Sequence, residues 1–176
     1  MKVDHPIISA DSHISEAPNT YTDYIDPKFR DIAPHIAEGG DKGALYVIDG
    51  MKRTIPMGLI AAAGKAPEDL NPHANFEDLP RSGWDSKFRV ADQNKDGVCA
   101  EVIYPSVGMV LCNHPDPEYK TACFEAYNRW IVEYCSENPA RLLGIGQTAL
   151  HTVQEAIDDV VKMKEQGLRG VMMSGN

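Results

Sequence analysis

From Trp84 onward the chain alternates short apolar runs with amphipathic stretches, and few folds accept that pattern. Lys87 to Asp96 reads as a short helix stopped by Gly97, and Val98-Cys99-Ala100-Glu101-Val102-Ile103-Tyr104 reads as a strand ending before Pro105. After a loop, Asp116 is placed to cap a helix. Pro117 suits its first position and Glu118 its first turn, where negative charge meets the helix dipole. Tyr119, Ala122, Cys123, Ala126, Tyr127, Trp130, Ile131 and Tyr134 recur at three-and-four spacing up to Pro139, giving one wide apolar face. Arg141 to Gln147 is the next strand. Thr152 and Glu155 form a capping box for a helix carrying Val153, Ala156, Ile157, Val160 and Val161. Gly167 ends that helix, and Leu168 to Met173 is a final strand. With the run Pro6 to Ala10 near the start, the chain supplies four strands. They are mostly apolar rather than alternating in polarity, as a parallel sheet covered by helices requires.

Residues 14–83 break this rhythm. They hold most of the prolines and few periodic runs. Within them, Ala44 to Ile48 and Met51 to Ile55, separated by Asp49-Gly50, read as a β-hairpin with a type I′ turn. A long segment after the first strand sits where βα loops build active sites. It is expected to be either a lid that shapes a substrate pocket or an insertion packed on the surface.

Asp11-Ser12-His13, directly after the first apolar run, is the motif that carries chemistry. Side chains at i and i+2 of a strand share a face, so a carboxylate and an imidazole can converge on one cation. Both are competent ligands for zinc or a similar divalent metal. Turn chemistry alone, with Asp11 accepting backbone N–H groups, is the other reading of the residues. Glu16 is a candidate hydrogen-bonding group near the pair or a cap. His114, in Cys112-Asn113-His114-Pro115, falls in an active-site loop or serves as a turn residue. Tyr104 and Ser106 end the second strand, where packing is the default and substrate contact the alternative. His35, His73 and His151 sit in loops or before a cap and are not expected to be ligands, and Trp130 with Tyr119 and Tyr127 belongs to a core stripe. No glycine-rich phosphate loop and no nucleophilic triad is present.

Charge and composition narrow the class. A formal charge of −9, with 17 Lys and Arg that form no basic stripe, excludes nucleic acid as the expected partner. No run approaches the roughly 18 apolar residues of a membrane span. Met1 to His5 opens without the apolar region of a secretory signal, so a cytoplasmic protein is expected. The four cysteines form no C-x-x-C pair. Cys123 and Cys135 fall on the helix stripe and are expected to be reduced.

The run Val171 to Asn176 closes a core strand with no helix after it. Four parallel strands would leave a sheet face and two edges bare, forfeiting on the order of 10 kcal/mol at ~25 cal/mol per Å². A second half is therefore expected, and 176 residues fall short of the ~250 of a full barrel.

The run Ile8 to Pro18, followed by Asp26 to Pro34, resembles the start of the amidohydrolase-related family of aminocarboxymuconate-semialdehyde decarboxylase-like enzymes. Asp92 to Ser106, and Asn128 to Gly144 on to Gly167 to Val171, resemble later stretches of the same family; the likeness is weakest between Gly39 and Glu77. The resemblance implies the N-terminal half of a (β/α)8 TIM-like barrel, with residues 1–176 forming a partial domain and residues 14–83 an inserted, lid-like segment. It implies that Asp11 and His13 are ligands of one divalent metal, zinc or in some members manganese, and that the remaining ligands and a catalytic histidine come from later strands. A hydrolase or decarboxylase of a small aromatic or unsaturated carboxylic acid is expected, as a homo-oligomer or with a complementing half. Two other readings compete: a non-catalytic half-barrel that self-associates, and a doubly wound α/β binding domain in which Asp11 has no role.

Overall fold

The computed structural model describes residues 5–62 and 64–173. Met1 to Asp4 and Ser174 to Asn176, both part of the sequence reading, lie outside the described residues. Strand β1 (Ile7–His13) leads into a small antiparallel sheet of β2 (His35–Glu38), β3 (Ala44–Val47) and β4 (Ile55–Pro56), followed by the one-turn helix α1 (Met57–Ile60). Next come α2 (Ser86–Asp96), β5 (Val98–Tyr104), α3 (Val107–Leu111), α4 (Pro117–Ser136), β6 (Leu142–Gln147), α5 (Val153–Glu165) and β7 (Gly170–Met172). The main sheet has the order β1-β5-β6-β7, every pair parallel. A doubly wound sheet reverses its strand order at a switch point. This order never reverses, so the four strands wind in one direction, as half of a curled barrel does.

Local chemistry explains the boundaries. The Asp85 carboxylate accepts the Lys87 N–H at 3.1 Å and starts α2, which Gly97 closes. Asp116 accepts the Tyr119 N–H at 3.1 Å and starts α4. Asp116→Ala should lower stability by about 1 kcal/mol in a urea titration, the usual worth of such a cap. Thr152 accepts the Glu155 N–H, the threonine half of the expected capping box. The short helix α3 lies where a loop was expected, because five residues are too few to display a period.

The core explains why α4 buries more than one stripe. Tyr127 donates to the Ile145 carbonyl at 3.1 Å, and the Asn128 amide exchanges two hydrogen bonds with the Gln147 backbone, at 2.9 and 2.8 Å. Those contacts dock one side of the helix on β6. Its other side meets residues 14–83: Tyr119 donates to the Ile32 carbonyl at 2.7 Å and Tyr134 to the Ser82 carbonyl at 2.9 Å. Tyr21, Ile25, Tyr46, Ile48 and Met57 share one buried cluster with Tyr127 and Ile131. Phe124 and Asn128 are buried as well as the expected stripe. Burial pushes the Cys123 and Cys135 thiols up to about 12, which leaves them packing groups rather than nucleophiles.

The hairpin differs in register from the sequence reading. Tyr46 pairs with Ile55 and Leu45 with Pro56, so residues 48–54 connect the strands. Met51 donates to the Ile48 carbonyl at 3.1 Å across a turn in which Gly50, not Asp49, has a positive φ. A type I′ turn needs both. The Asp49 carbonyl is instead turned toward His114, which donates to it through Nε2 at 2.8 Å.

The two ends of the main sheet are apolar and open. Ile7 and Ile8 of β1 are exposed, and on α5 only Met163 is buried while Val153 is 81% exposed. Ile157, Val160 and Val161 are also exposed. No helix among the described residues is long and apolar enough to cross a membrane.

Candidate metal centre

Asp11 and His13 lie at the carboxyl end of β1, beside the carboxyl end of β5, where His13 pairs with Tyr104. The strand is not regular on the way. Ser9 pairs with Glu101 and Ser12 with Ile103, three residues against two, so β1 bulges around Ala10 and Asp11. The bulge brings Ser9 and Ser12 to one side, their hydroxyls 2.7 Å apart, and leaves Asp11 and His13 together. The Asp11 Oδ1 and the His13 Nε2 are 3.4 Å apart.

The imidazole is oriented from its far side. The His13 Nδ1 lies 2.9 Å from the Pro105 carbonyl. A carbonyl only accepts, so Nδ1 donates to it, and this places Nε2 on the side of the Asp11 carboxylate. A backbone or carboxylate partner on one ring nitrogen is the usual device for fixing a ligating histidine.

This arrangement fits a divalent ion. Ligand bonds of about 2.0–2.2 Å in a tetrahedral shell set neighbouring donor atoms about 3.3–3.6 Å apart. The observed separation falls in that range. Side-chain exposures of 84% for Asp11 and 37% for His13 leave the pair accessible. Among the described residues no third His, Cys, Asp or Glu joins them in a metal-binding group.

Beneath the pair, on the α2 side, lies a buried network. Arg89 donates from Nε to Glu101 Oε2 at 2.7 Å and from Nη2 to Oε1 at 3.0 Å. Gln93 donates to Oε2 at 2.7 Å and Ser12 to Oε1 at 3.0 Å. Arg89 also reaches the His13 carbonyl through Nη1 at 3.1 Å, so the ion pair holds β1 by its backbone. Burial alone would raise the Glu101 carboxyl, but the bonds and charge of Arg89, with Gln93 and Ser12, outweigh it and hold the group below the usual glutamate range. Sequence reasoning missed this network. Its signal was Glu101 itself, a charge inside an otherwise apolar strand.

The other sequence candidates lie elsewhere. His114 is buried and packs at a tilt against Tyr119, with ring centres 4.6 Å apart. It donates to Asp49 and accepts the Asp116 N–H at 3.2 Å, tying residues 48–51 to the start of α4 as a turn residue. His35 sits against the Ala33 carbonyl, and His151 against the Thr121 hydroxyl. Trp130 packs within the α4 core. Ser106 donates to the Ile14 carbonyl at 2.7 Å. The Tyr104 ring lies 5.8 Å from that of His13, centre to centre.

An amidohydrolase from Mycobacterium avium subsp. paratuberculosis superposes on 97% of the chain with a TM-score of 0.70 and 19% identity, over 50% of its own length. The chain has the fold of half a (β/α)8 barrel. A 5-carboxyvanillate decarboxylase from Novosphingobium aromaticivorans, solved with manganese and a nitrobenzoic acid, matches 98% of it at a TM-score of 0.56 and 15% identity, over 43% of that enzyme. A 2,6-dihydroxybenzoate decarboxylase from Rhizobium matches 97% at 0.51 and 11% identity, over 38% of its length. In sequence, 102 residues are 24% identical to the 2-amino-3-carboxymuconate-6-semialdehyde decarboxylase of Dictyostelium discoideum, 57% of this chain and 28% of that protein. The half-barrel thus spans half or less of the length of these proteins. No family model matches it.

Proposed function

We propose that this half-barrel supplies Asp11 and His13 as two ligands of a single divalent metal in an enzyme that acts on a small aromatic or unsaturated carboxylic acid. The observation that carries the reading is the 3.4 Å approach of Oδ1 to the Nε2 of a ring whose Nδ1 is held by the Pro105 carbonyl. Manganese in the 5-carboxyvanillate decarboxylase supports a divalent metal, and zinc is as well suited to an Asp–His pair. Bound there, the ion supplies Lewis-acid polarisation of substrate oxygens and a water of lowered pKa. Asp11 contributes the negative charge that offsets the cation, and His13 a neutral donor that keeps the site electrophilic. Two protein ligands hold a metal weakly, so the remaining ligands are contributed by a complementing half of the barrel. The decarboxylase neighbours favour C–C bond cleavage over hydrolysis.

The test is metal analysis of the full-length protein beside its D11A/H13A double variant. Stoichiometric zinc or manganese in the wild type and its loss in the variant are expected. Unchanged stoichiometry would remove both residues from the site. Carbon dioxide release from hydroxybenzoates, scored against hydrolysis of their amides or esters, separates the two chemistries.

The open α5 stripe and the absence of a third ligand among the described residues favour a second reading, a half-barrel that associates without catalysing. It predicts no bound metal in any assembly of the protein.

A further inference from the structure

We infer that Glu16 is a positioning residue of the metal site, acting on His13 through the turn at residues 105–108. The inference rests on the metal reading of Asp11 and His13. Glu16 follows His13 by three residues and is fully buried. Its Oε1 accepts three backbone N–H groups, from Ser106 at 2.9 Å, Val107 at 2.8 Å and Gly108 at 3.3 Å. The second carboxyl oxygen, Oε2, is buried with no hydrogen-bond partner.

A buried carboxylate is expensive, and an apolar side chain of similar volume would fill the same space at less cost. What the carboxylate does that an apolar group cannot is gather three amides on one point. The turn so gathered begins at Pro105, whose carbonyl is the acceptor for His13 Nδ1. Its next residue, Ser106, bonds back to the Ile14 carbonyl, and the Ile14 N–H bonds to the Tyr104 carbonyl at 3.2 Å. Residues 13–16 and 104–108 are therefore cross-tied, and Glu16 is the largest tie. Without it three amides lose their acceptor and the turn relaxes. The Pro105 carbonyl then no longer holds the Nδ1 proton, and the ring can carry its proton on Nε2, where it blocks metal ligation.

The experiment uses the full-length protein, stripped of metal and labelled with nitrogen-15 histidine, so that ring-nitrogen shifts report the His13 tautomer at a pH where the ring is neutral. Its signal is assigned by its loss in H13A. Wild type is expected to show the Nδ1–H form. E16A is expected to show a mixture rich in Nε2–H and to bind Zn2+ or Mn2+ about 10–100-fold more weakly in calorimetry, the usual effect of losing the support behind a ligating histidine. E16Q, whose amide oxygen can take the same three N–H groups, is expected to restore the Nδ1–H form. Where E16A does not fold, E16D takes its place, since its shorter side chain withdraws the carboxylate from the turn. An Nδ1–H tautomer that persists in E16A or E16D would overturn the inference. Metal retained in the D11A/H13A variant would overturn the metal reading and with it the role at a metal site, whereas the tautomer, read without metal, reports separately whether Glu16 orients His13.

Discussion

Replacing Arg89 by alanine is expected to cost roughly 3–5 kcal/mol of folding stability, the range for breaking one partner out of a buried ion pair. Both side chains are well covered, 13% exposed for Arg89 and 12% for Glu101. The variant leaves a carboxylate with only Gln93 and Ser12 as donors in a space built for a guanidinium. The pH response should change sense as well. In the wild type Glu101 is held below its ordinary value, so its contribution is present at neutral pH and is lost as pH falls through the folded-state value. In R89A burial acts with little opposition and raises the carboxyl, so the same group destabilises the fold as pH rises past the ordinary glutamate value. Urea titrations between pH 3 and pH 8 check both points. An R89A curve parallel to that of wild type would show that Arg89 does not control the Glu101 charge.

Gly43→Ala is expected to be comparably damaging for a backbone reason. Gly43 has φ +68 and ψ −157, a region open to glycine alone, and a Cβ there would lie 2.2 Å from the His73 oxygen and 2.3 Å from its carbonyl carbon. Those atoms cannot retreat easily, because Ala44 bonds to the adjacent Ala74 carbonyl at 3.0 Å. Strain and overlap together imply a loss of about 3–5 kcal/mol. Gly40 is the control. It too has a positive φ, but a Cβ there meets nothing within 4 Å, so G40A should cost only about 1–2 kcal/mol. Equal losses in the two variants, read from chemical denaturation, would mean that the contact with residues 73–74 does not matter.

The sequence carried the main sheet because its signals are local. Asp116, Thr152 and Gly97 mark helix ends by hydrogen bonds within a turn, and the apolar strands announce a parallel sheet covered by helices. Residues 14–83 were harder because their structure is settled by distant partners. Asp49-Gly50 has the composition of a tight hairpin turn, yet His114, 65 residues away, holds the Asp49 carbonyl. β2 pairs with β3 although His35-Ile36-Ala37-Glu38 has no strand pattern of its own. At the candidate metal centre, the proximity of Asp11 and His13 was legible as a spacing. Their support was not, since Pro105 acts through a backbone carbonyl and Glu16 through three amides, neither of which has a letter in the sequence. Arg89 and Glu101 were visible as residues but not as a pair, because nothing local couples a helix position to the strand after it.

The extra residue in β1 has a consequence for how such chains are compared. Spelling and aim are separate properties here. Asp-x-His faces outward as a pair because three residues of β1 span the ladder distance of two in β5, while an offset of the opposite sense earlier in the strand restores step by His13. A relative could keep the same letters and lose the pairing through one deletion upstream. Another could vary the letters around Ala10 and keep it. Sorting members of this fold by the count of residues between ladder partners, as well as by motif, would separate those two kinds.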